Sequence, residues 1–508
     1  MHGGGDGNQA TSVTKIFGNI FISFVGAGVL GLPYAFRESG VLEGILVMLF
    51  VAFLAVKAML LLIDCKYRCV DMMNHDQFSM KQSLLGGERS GASTPERNNS
   101  GNERSSVEIS SSSKSKTKKK KNIRKDYEDE DNFDSSQVSY GTVGKMAFGK
   151  WGAFTVDAAI VISQIGFCCA YVIFLSQNIS HYLAGCYEED DALMEPDEEE
   201  EITDQVIQMY KNITTDQQQT LQQGCEIVAK SYQSSIVLVL LLPLLLLCQV
   251  RHLNRLAIFS LLADFANVFA YLIVFWFDFE HVSKVTIHPK EMDFAGLPFF
   301  MSVSMYCYEG AGMILALEES VHPDHRSRFK SIFSYAMVAI TMLYVVFGVS
   351  GYLSFGPETK AIITLNLPAG IFPGIVKACL CFSLFFTFPI MMFPVVETIE
   401  RRFKIYSGDR MKGTLVRCAS PVLVAIIVLV IPSFSAIMGL IGATCCSLLA
   451  FILPALFHMK LFKGTLKHNQ EVMNYVLLGL GVVGAILGTH DALARIGLVH
   501  SSRPHAGH

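Results

Sequence analysis

Charge is what this chain lacks. Of its 508 residues only 17% are Asp, Glu, Lys or Arg, against about 25% in an ordinary soluble domain, and they gather in a few blocks that leave long stretches nearly bare. With 51% hydrophobic residues and a mean hydropathy of +0.38, this scarcity excludes a soluble enzyme, a fibrous protein and a mostly disordered chain. An excess of base is missing too. The 41 Lys and Arg against 45 Asp and Glu give a net charge of −4, with no basic face outside one loop, which argues against a nucleic-acid partner. Of 13 cysteines most lie in apolar runs, and only Cys186 and Cys225 fall in a polar loop, so no disulfide scaffold is expected. No Walker loop is present. The His residues are scattered, largely in loops and at the tail, and no metal, haem or other cofactor site is expected. What remains is an all-α polytopic membrane protein whose solvent is the lipid bilayer.

A helix crosses about 30 Å of hydrocarbon with about 20 apolar residues. Eleven runs qualify, numbered here as spans one to eleven: 13–36, 41–63, 152–177, 234–250, 255–277, 294–317, 331–354, 374–398, 414–431, 433–459 and 472–489. The first is not a cleavable signal peptide, because Gly and polar residues interrupt it and a second span follows at once. The fourth is short and contains Pro243. The organisation expected is a tail over 1–12, a membrane-spanning domain over 13–490 and a second tail over 491–508. The domain divides into repeat one, 13–277, repeat two, 294–459, and an extra helix, 472–489.

Lys and Arg concentrate on the cytoplasmic side of a multi-span protein. An N-terminus in the cytoplasm puts 31 of them inside and 9 outside, and leaving out the long first loop still gives 15 against 9. The odd span count then places the C-terminus in the lumen or outside the cell. The loop at 185–232 fits this sidedness: it holds 13 acidic residues and two basic ones. Asn212 heads an Asn-Ile-Thr glycosylation acceptor on that side, while Asn178, heading another, lies too close to the membrane to be used. Cys186 and Cys225 share the compartment and are candidates for a disulfide. Residues 73–137, rich in Ser, Asn, Gly and charge, read as a disordered cytoplasmic insertion. It is either a solvated tether or a segment that binds regulatory partners or anionic lipid.

Two spans are interrupted. Span one reads Phe24-Val25-Gly26-Ala27-Gly28-Val29-Leu30-Gly31-Leu32-Pro33, and span six reads Tyr306-Cys307-Tyr308-Glu309-Gly310-Ala311-Gly312 after Gly296-Leu297-Pro298. In a helix each Gly costs about 1 kcal/mol and each Pro about 3. Close packing of small residues explains a lone pair of glycines, but not these runs. Spans one and six open two successive sets of five helices, and matched interruptions in two halves point to an inverted-repeat transporter with its site at the midplane. Unwinding frees backbone N–H groups at a positive dipole end, which suits a carboxylate, and carbonyls at the opposite end, which suit an ammonium group. The pair therefore suits a zwitterion such as an α-amino acid.

Among intramembrane polar residues, Glu309 stands out. A carboxylate at mid-span costs a few kcal/mol and normally faces a cavity. It is either a proton-coupling or gate group, or a structural hydrogen-bonding group holding the broken helix. Asp264, with Asn267 one turn on, is the second candidate. Asp157 reads as one half of a structural pair, and Lys57 as snorkelling to the interface. Glu318 and Glu319 read as a solvated helix end or part of a gate. Gln164 and Ser163 either line the cavity or bond between helices, and Tyr308, Phe24 and Phe386 are candidates to shape a side-chain pocket.

The helix-one stretch from Phe17 to Ile22 and from Val25 to Phe36 resembles the first helix of the amino acid/auxin permease family, especially its plant and protist vacuolar and aromatic or neutral amino-acid branch. Gln164-Ile165-Gly166-Phe167, Ala263-Asp264, Gly296-Leu297-Pro298, Tyr308-Glu309-Gly310, Ile363 to Pro368 and Phe451 to Ala455 continue the likeness through all eleven spans. The resemblance implies the LeuT-like 5+5 fold, a vacuolar-type or alternatively a plasma membrane, and secondary transport of amino acids, commonly with protons as the coupled partner. Animal proton-coupled relatives carry a His in the first half of helix one. Asn19 stands at about that place here, so Glu309 or Asp264 is the expected coupling group. The substrate-binding set expected is Phe24, Val25, Gly26, Ala27, Gly28, Val29, Gln164, Cys307, Tyr308, Gly310 and Phe386. The expectation is a transporter of neutral, including aromatic, amino acids and not a catalyst; its rivals are a flux-free amino-acid sensor and a carrier of auxin or another carboxylate.

Overall fold

The computed structural model describes residues 5–89, 138–184, 228–250, 257–282, 290–367, 370–403, 405 and 410–501. Asn212, Cys186 and Cys225 lie outside these residues, as do the rest of loop 185–227 and positions 90–137 of the insertion. Among the described residues every regular element is helical. Eight helices are long and apolar enough to cross a bilayer, and a bent pair, Val13–Phe24 with Ala27–Ser39 at 50°, makes a ninth. The two other expected spans are represented by shorter apolar helices, Phe265–Phe277 and Leu297–Cys307. Span four runs over Val228–Cys248, starting six residues before its hydropathy boundary and passing through Pro243. Span two belongs to a helix, Val41–Arg89, that continues past residue 73 into the start of the insertion.

Span eight, Ile371–Arg402, packs along span three, Tyr140–Leu183, and along span five, Ala257–Val282. Span seven, Phe329–Phe355, touches both halves of span one. The helix carrying span three is kinked at Phe148 and Gly149, where φ is −131° and +65°. Gly tolerates that positive φ without a Cβ clash. The kink folds the first turns, with buried Tyr140 and Val143, back under the bundle, and the Tyr140 hydroxyl donates to Leu449 O at 2.8 Å.

Span ten is not a plain α-helix. Between Phe434–Ile441 and Leu453–Leu461 it widens into π turns over Gly442–Cys446 and Leu448–Ile452. Such turns cluster at functional sites. Here they lie against Leu297–Cys307 of span six, so closely that a Cβ on Gly442 would stand 1.9 Å from Ser302 O.

The start of span two is tied by backbone to the segment before span six. Val41 and Leu42 N–H, unpaired at the start of span two, donate to Lys290 O and Glu291 O at 3.0 Å each. Gly40, at φ +89°, permits this approach, since a Cβ there would stand 2.7 Å from the Glu291 backbone.

Candidate functional site between two broken helices

Pro33 and Pro298 sit in the first turn of Leu32–Ser39 and of Leu297–Cys307, where a missing N–H costs nothing. Each proline therefore starts one half of a broken helix. In span one, Gly5–Phe24 ends at Val25 and Gly26, and the chain resumes as a fully buried 3₁₀ turn over Ala27–Gly31. Val29 N–H returns to Gly26 O at 3.2 Å, which leaves the N–H groups of Gly26, Ala27 and Gly28 without an acceptor among the described residues. In span six, Leu297–Cys307 stops, Tyr308–Met313 is irregular and Ile314–Glu319 resumes.

The two breaks face each other. A Cβ on Gly28 would stand 3.0 Å from Cys307 Sγ and 3.1 Å from the Tyr306 ring; one on Gly310 would stand 2.2 Å from Phe24 Cζ. Phe24 is buried and leans on Phe333 of span seven at 5.9 Å. Tyrosine hydroxyls hold the unwound carbonyls. Tyr344 Oη donates to Phe24 O at 2.7 Å with Cys307 O at 3.5 Å, and Tyr271 Oη donates to Gly26 O at 3.1 Å. Hydrocarbon offers no water to satisfy those groups, so spans five and seven supply the partners.

Glu309 lies in the gap. Its carboxylate meets the backbone N–H groups of Ala311 and Gly312 in the turn ahead of the second half-helix, while Oε2 is buried without a partner. It thus pins the irregular turn that joins the two halves of span six, while the second half-helix itself has no side-chain N-cap. The first π turn of span ten, Gly442–Cys446, packs against the first half of span six just before Glu309. Tyr306, whose ring packs on Phe167 at 4.7 Å, has a buried hydroxyl with no partner. Buried polar atoms are normally paired, so Tyr306 Oη and Glu309 Oε2 mark places for a bound group or water. A cavity of about 170 Å³ opens between Lys15, Asn19, Leu317, Ser320, His322 and Phe329. It separates the first half of span one from the second half of span six, and Asn19 lines it.

Of the expected residues, the structure brings together Phe24, Val25, Gly26, Ala27, Gly28, Val29, Cys307, Glu309 and Gly310. Tyr308 is fully buried and turns to span seven, its hydroxyl 3.1 Å from Thr341 Oγ1. Gln164 of span three and Asn267 of span five each keep a buried side-chain oxygen without a partner. Asp264 falls in the helix Ala257–Val282, but its side chain lies outside the described residues. Phe386 clusters with Phe382 and Phe385 in span eight at 4.7 and 5.3 Å. Ser163 bonds its own helix at Ile160 O. Asp157 pairs with Arg401 at 3.6 Å. Asn178 is buried: its amide nitrogen donates to Phe174 O at 2.9 Å, and its side-chain oxygen accepts from Thr364 Oγ1 at 2.8 Å.

Nothing in the sequence pattern singles out Tyr344, Tyr271 or Tyr306. A tyrosine in an apolar run resembles packing, yet its hydroxyl must find an acceptor inside the membrane, and that requirement is the available signal.

The chain matches the model of a family described as transmembrane amino acid transporter protein over residues 9–88 and 124–493. It is similar to three curated proteins of Arabidopsis thaliana. Amino acid transporter AVT3C is 30% identical over 97% of this chain and 93% of the relative, and amino acid transporter AVT3B is 30% identical over 97% and 95%. Amino acid transporter ANT1 is 27% identical over 96% and 94%.

Proposed function

Because the chain belongs to the transmembrane amino acid transporter family, we propose that it moves neutral amino acids together with protons by alternating access around the breaks in spans one and six. The observation that carries this reading is the juxtaposition of the breaks, with Gly28 against Cys307 and Gly310 against Phe24. The N–H groups of Gly26, Ala27 and Gly28 offer donors to a substrate carboxylate, and the carbonyls at Phe24 and Cys307, at negative helix ends, offer acceptors to its ammonium group. Glu309 is engaged by its own backbone, and no other charged side chain is described at the gap, which favours a neutral substrate. The Phe24 ring over Gly310 favours small side chains over aromatic ones. Glu309 is the proposed proton carrier, with Asp264 as its alternative.

In this reading the chain has eleven spans in a LeuT-like 5+5 inverted repeat with one extra helix, and a cytoplasmic N-terminus. The acidic loop, glycosylated at Asn212 and bridged from Cys186 to Cys225, faces the lumen of a vacuole-type compartment. The test is uptake into proteoliposomes holding the purified full chain, using labelled alanine, leucine and phenylalanine with lysine and glutamate as charged controls, with and without an inward-acid gradient. Saturable uptake of neutral amino acids, faster with the gradient, is expected. Saturable binding without flux would make the chain a sensor; flux indifferent to the gradient would remove the proton.

A further inference from the structure

Tyr344 is the one described side chain whose hydroxyl reaches carbonyls of both breaks: Phe24 O at 2.7 Å and Cys307 O at 3.5 Å. Both carbonyls end the first half of a broken helix, so two negative dipole ends converge on one phenolic oxygen. Its ring is 1% exposed and fixed against Tyr308 at 5.5 Å, and Tyr308 is itself anchored to Thr341. The hydroxyl is therefore held in place by packing that does not depend on a substrate.

We propose that Tyr344 is a specificity-determining residue that makes the site a reader of primary amines. This rests on the transport reading above. A phenol donates one hydrogen and keeps lone pairs to accept with. While Oη donates to Phe24 O, its lone pairs remain able to accept. With the remaining lone pairs of Phe24 O and with Cys307 O it forms three acceptors, matching the three N–H donors of an ammonium group. An N-methylated amino acid has only two such donors and brings a methyl group against a buried oxygen, leaving one acceptor unpaired in hydrocarbon. Sites built to receive a hydrogen bond reject the analogue that lacks it. Tyr344→Phe removes only the oxygen and keeps the ring packing.

The experiment measures competition against labelled alanine uptake in proteoliposomes by unlabelled alanine and N-methylalanine, for the unaltered chain and for Y344F. In the unaltered chain N-methylalanine should compete at least about tenfold more weakly than alanine, the loss of one charge-assisted hydrogen bond. In Y344F the KM for alanine should rise about tenfold with the maximal rate per folded transporter kept, while inhibition by N-methylalanine changes little, so that the preference narrows. Equal competition in the unaltered chain overturns the proposal even if the variant fails to fold. A Y344F variant whose KM and preference are unchanged overturns it too, as does one that loses maximal rate alone, because that is the signature of a structural role. If the unaltered chain takes up none of alanine, leucine or phenylalanine, the transport reading falls and takes this proposal with it.

Discussion

Lys66 Nζ lies 2.8 Å from Glu318 Oε2, with the two side chains 6% and 1% exposed. Tyr67 Oη donates to the other carboxylate oxygen at 2.5 Å, and Arg326 Nε approaches it to 3.4 Å. Glu318 is therefore a buried hub rather than a solvated helix end. It clamps the second half of span six to span two, and Asp64 pairs with Lys330 beside it. The cavity at Asn19 is lined by Leu317 and Ser320 of the same segment. Breaking a buried pair costs about 3–5 kcal/mol when the remaining charge is left alone; here Tyr67 and Arg326 stay on the other oxygen of Glu318, so the loss falls at the lower end. Lys66→Met should accordingly lower the unfolding midpoint in detergent sharply. The double variant Lys66→Met with Glu318→Leu should lose much less than the sum of the two singles, and strict additivity would deny the pairing.

Two glycines give opposite expectations. A Cβ on Gly442 would stand 1.9 Å from Ser302 O and 2.8 Å from its carbonyl carbon, so Gly442→Ala forces two backbones apart at a cost of about 1–3 kcal/mol. It also pushes on Tyr306, whose Cβ is 3.2 Å away, and should raise the KM for alanine. Gly479, in the last helix, has nothing within 4 Å of its Cβ position. Gly479→Ala should add about 1 kcal/mol of helix stability and leave transport alone. Thermal unfolding of both variants in one detergent checks the signs.

Both breaks are legible from residues alone, because Gly runs with Pro33 and Pro298 are costly in a helix and stand at matching places. What fills the gap is not. Tyr344 and Tyr271 come from spans seven and five, and the Lys66–Glu318 pair joins residues 252 positions apart, so neither leaves a local pattern. The hold of Glu309 on its own turn depends on how its backbone runs after Tyr308, which composition does not specify. The π turns after Gly442 preserve an apolar helical pattern and so read as an ordinary span.

Just before span six, Lys290 Nζ meets Asp293 Oδ2 at 2.7 Å. The Lys290 ammonium, followed by the Ala295 N–H, holds the Asp293 carboxyl below its usual range, and Asp293 in turn pushes the Lys290 ammonium up. A lowered carboxylate stabilises the fold above its ordinary range and loses that contribution as pH falls through the lowered value; a raised lysine loses its contribution as pH rises past its own raised value. The pair is exposed, so its contribution is small. Asp293→Asn should lower the unfolding midpoint slightly at neutral pH, with the gap closing once the acid is below the carboxylate range. A gap that persists there would assign the loss to something other than this charge.

Glu309 has two separable duties, and amide and alanine variants split them. Its carboxylate accepts from the N–H groups of Ala311 and Gly312, which needs an acceptor oxygen but no charge. Carrying a proton needs a group that titrates. Glu309→Gln keeps the acceptor and cannot titrate, so unfolding should shift little while the inward-acid gradient ceases to accelerate uptake. Glu309→Ala loses those hydrogen bonds as well and should cost a further amount of about 1 kcal/mol in stability. If Glu309→Gln still answers to the gradient, the carboxylate is a structural acceptor alone and the proton travels on another group, with Asp264→Asn the next variant to measure in the same vesicles.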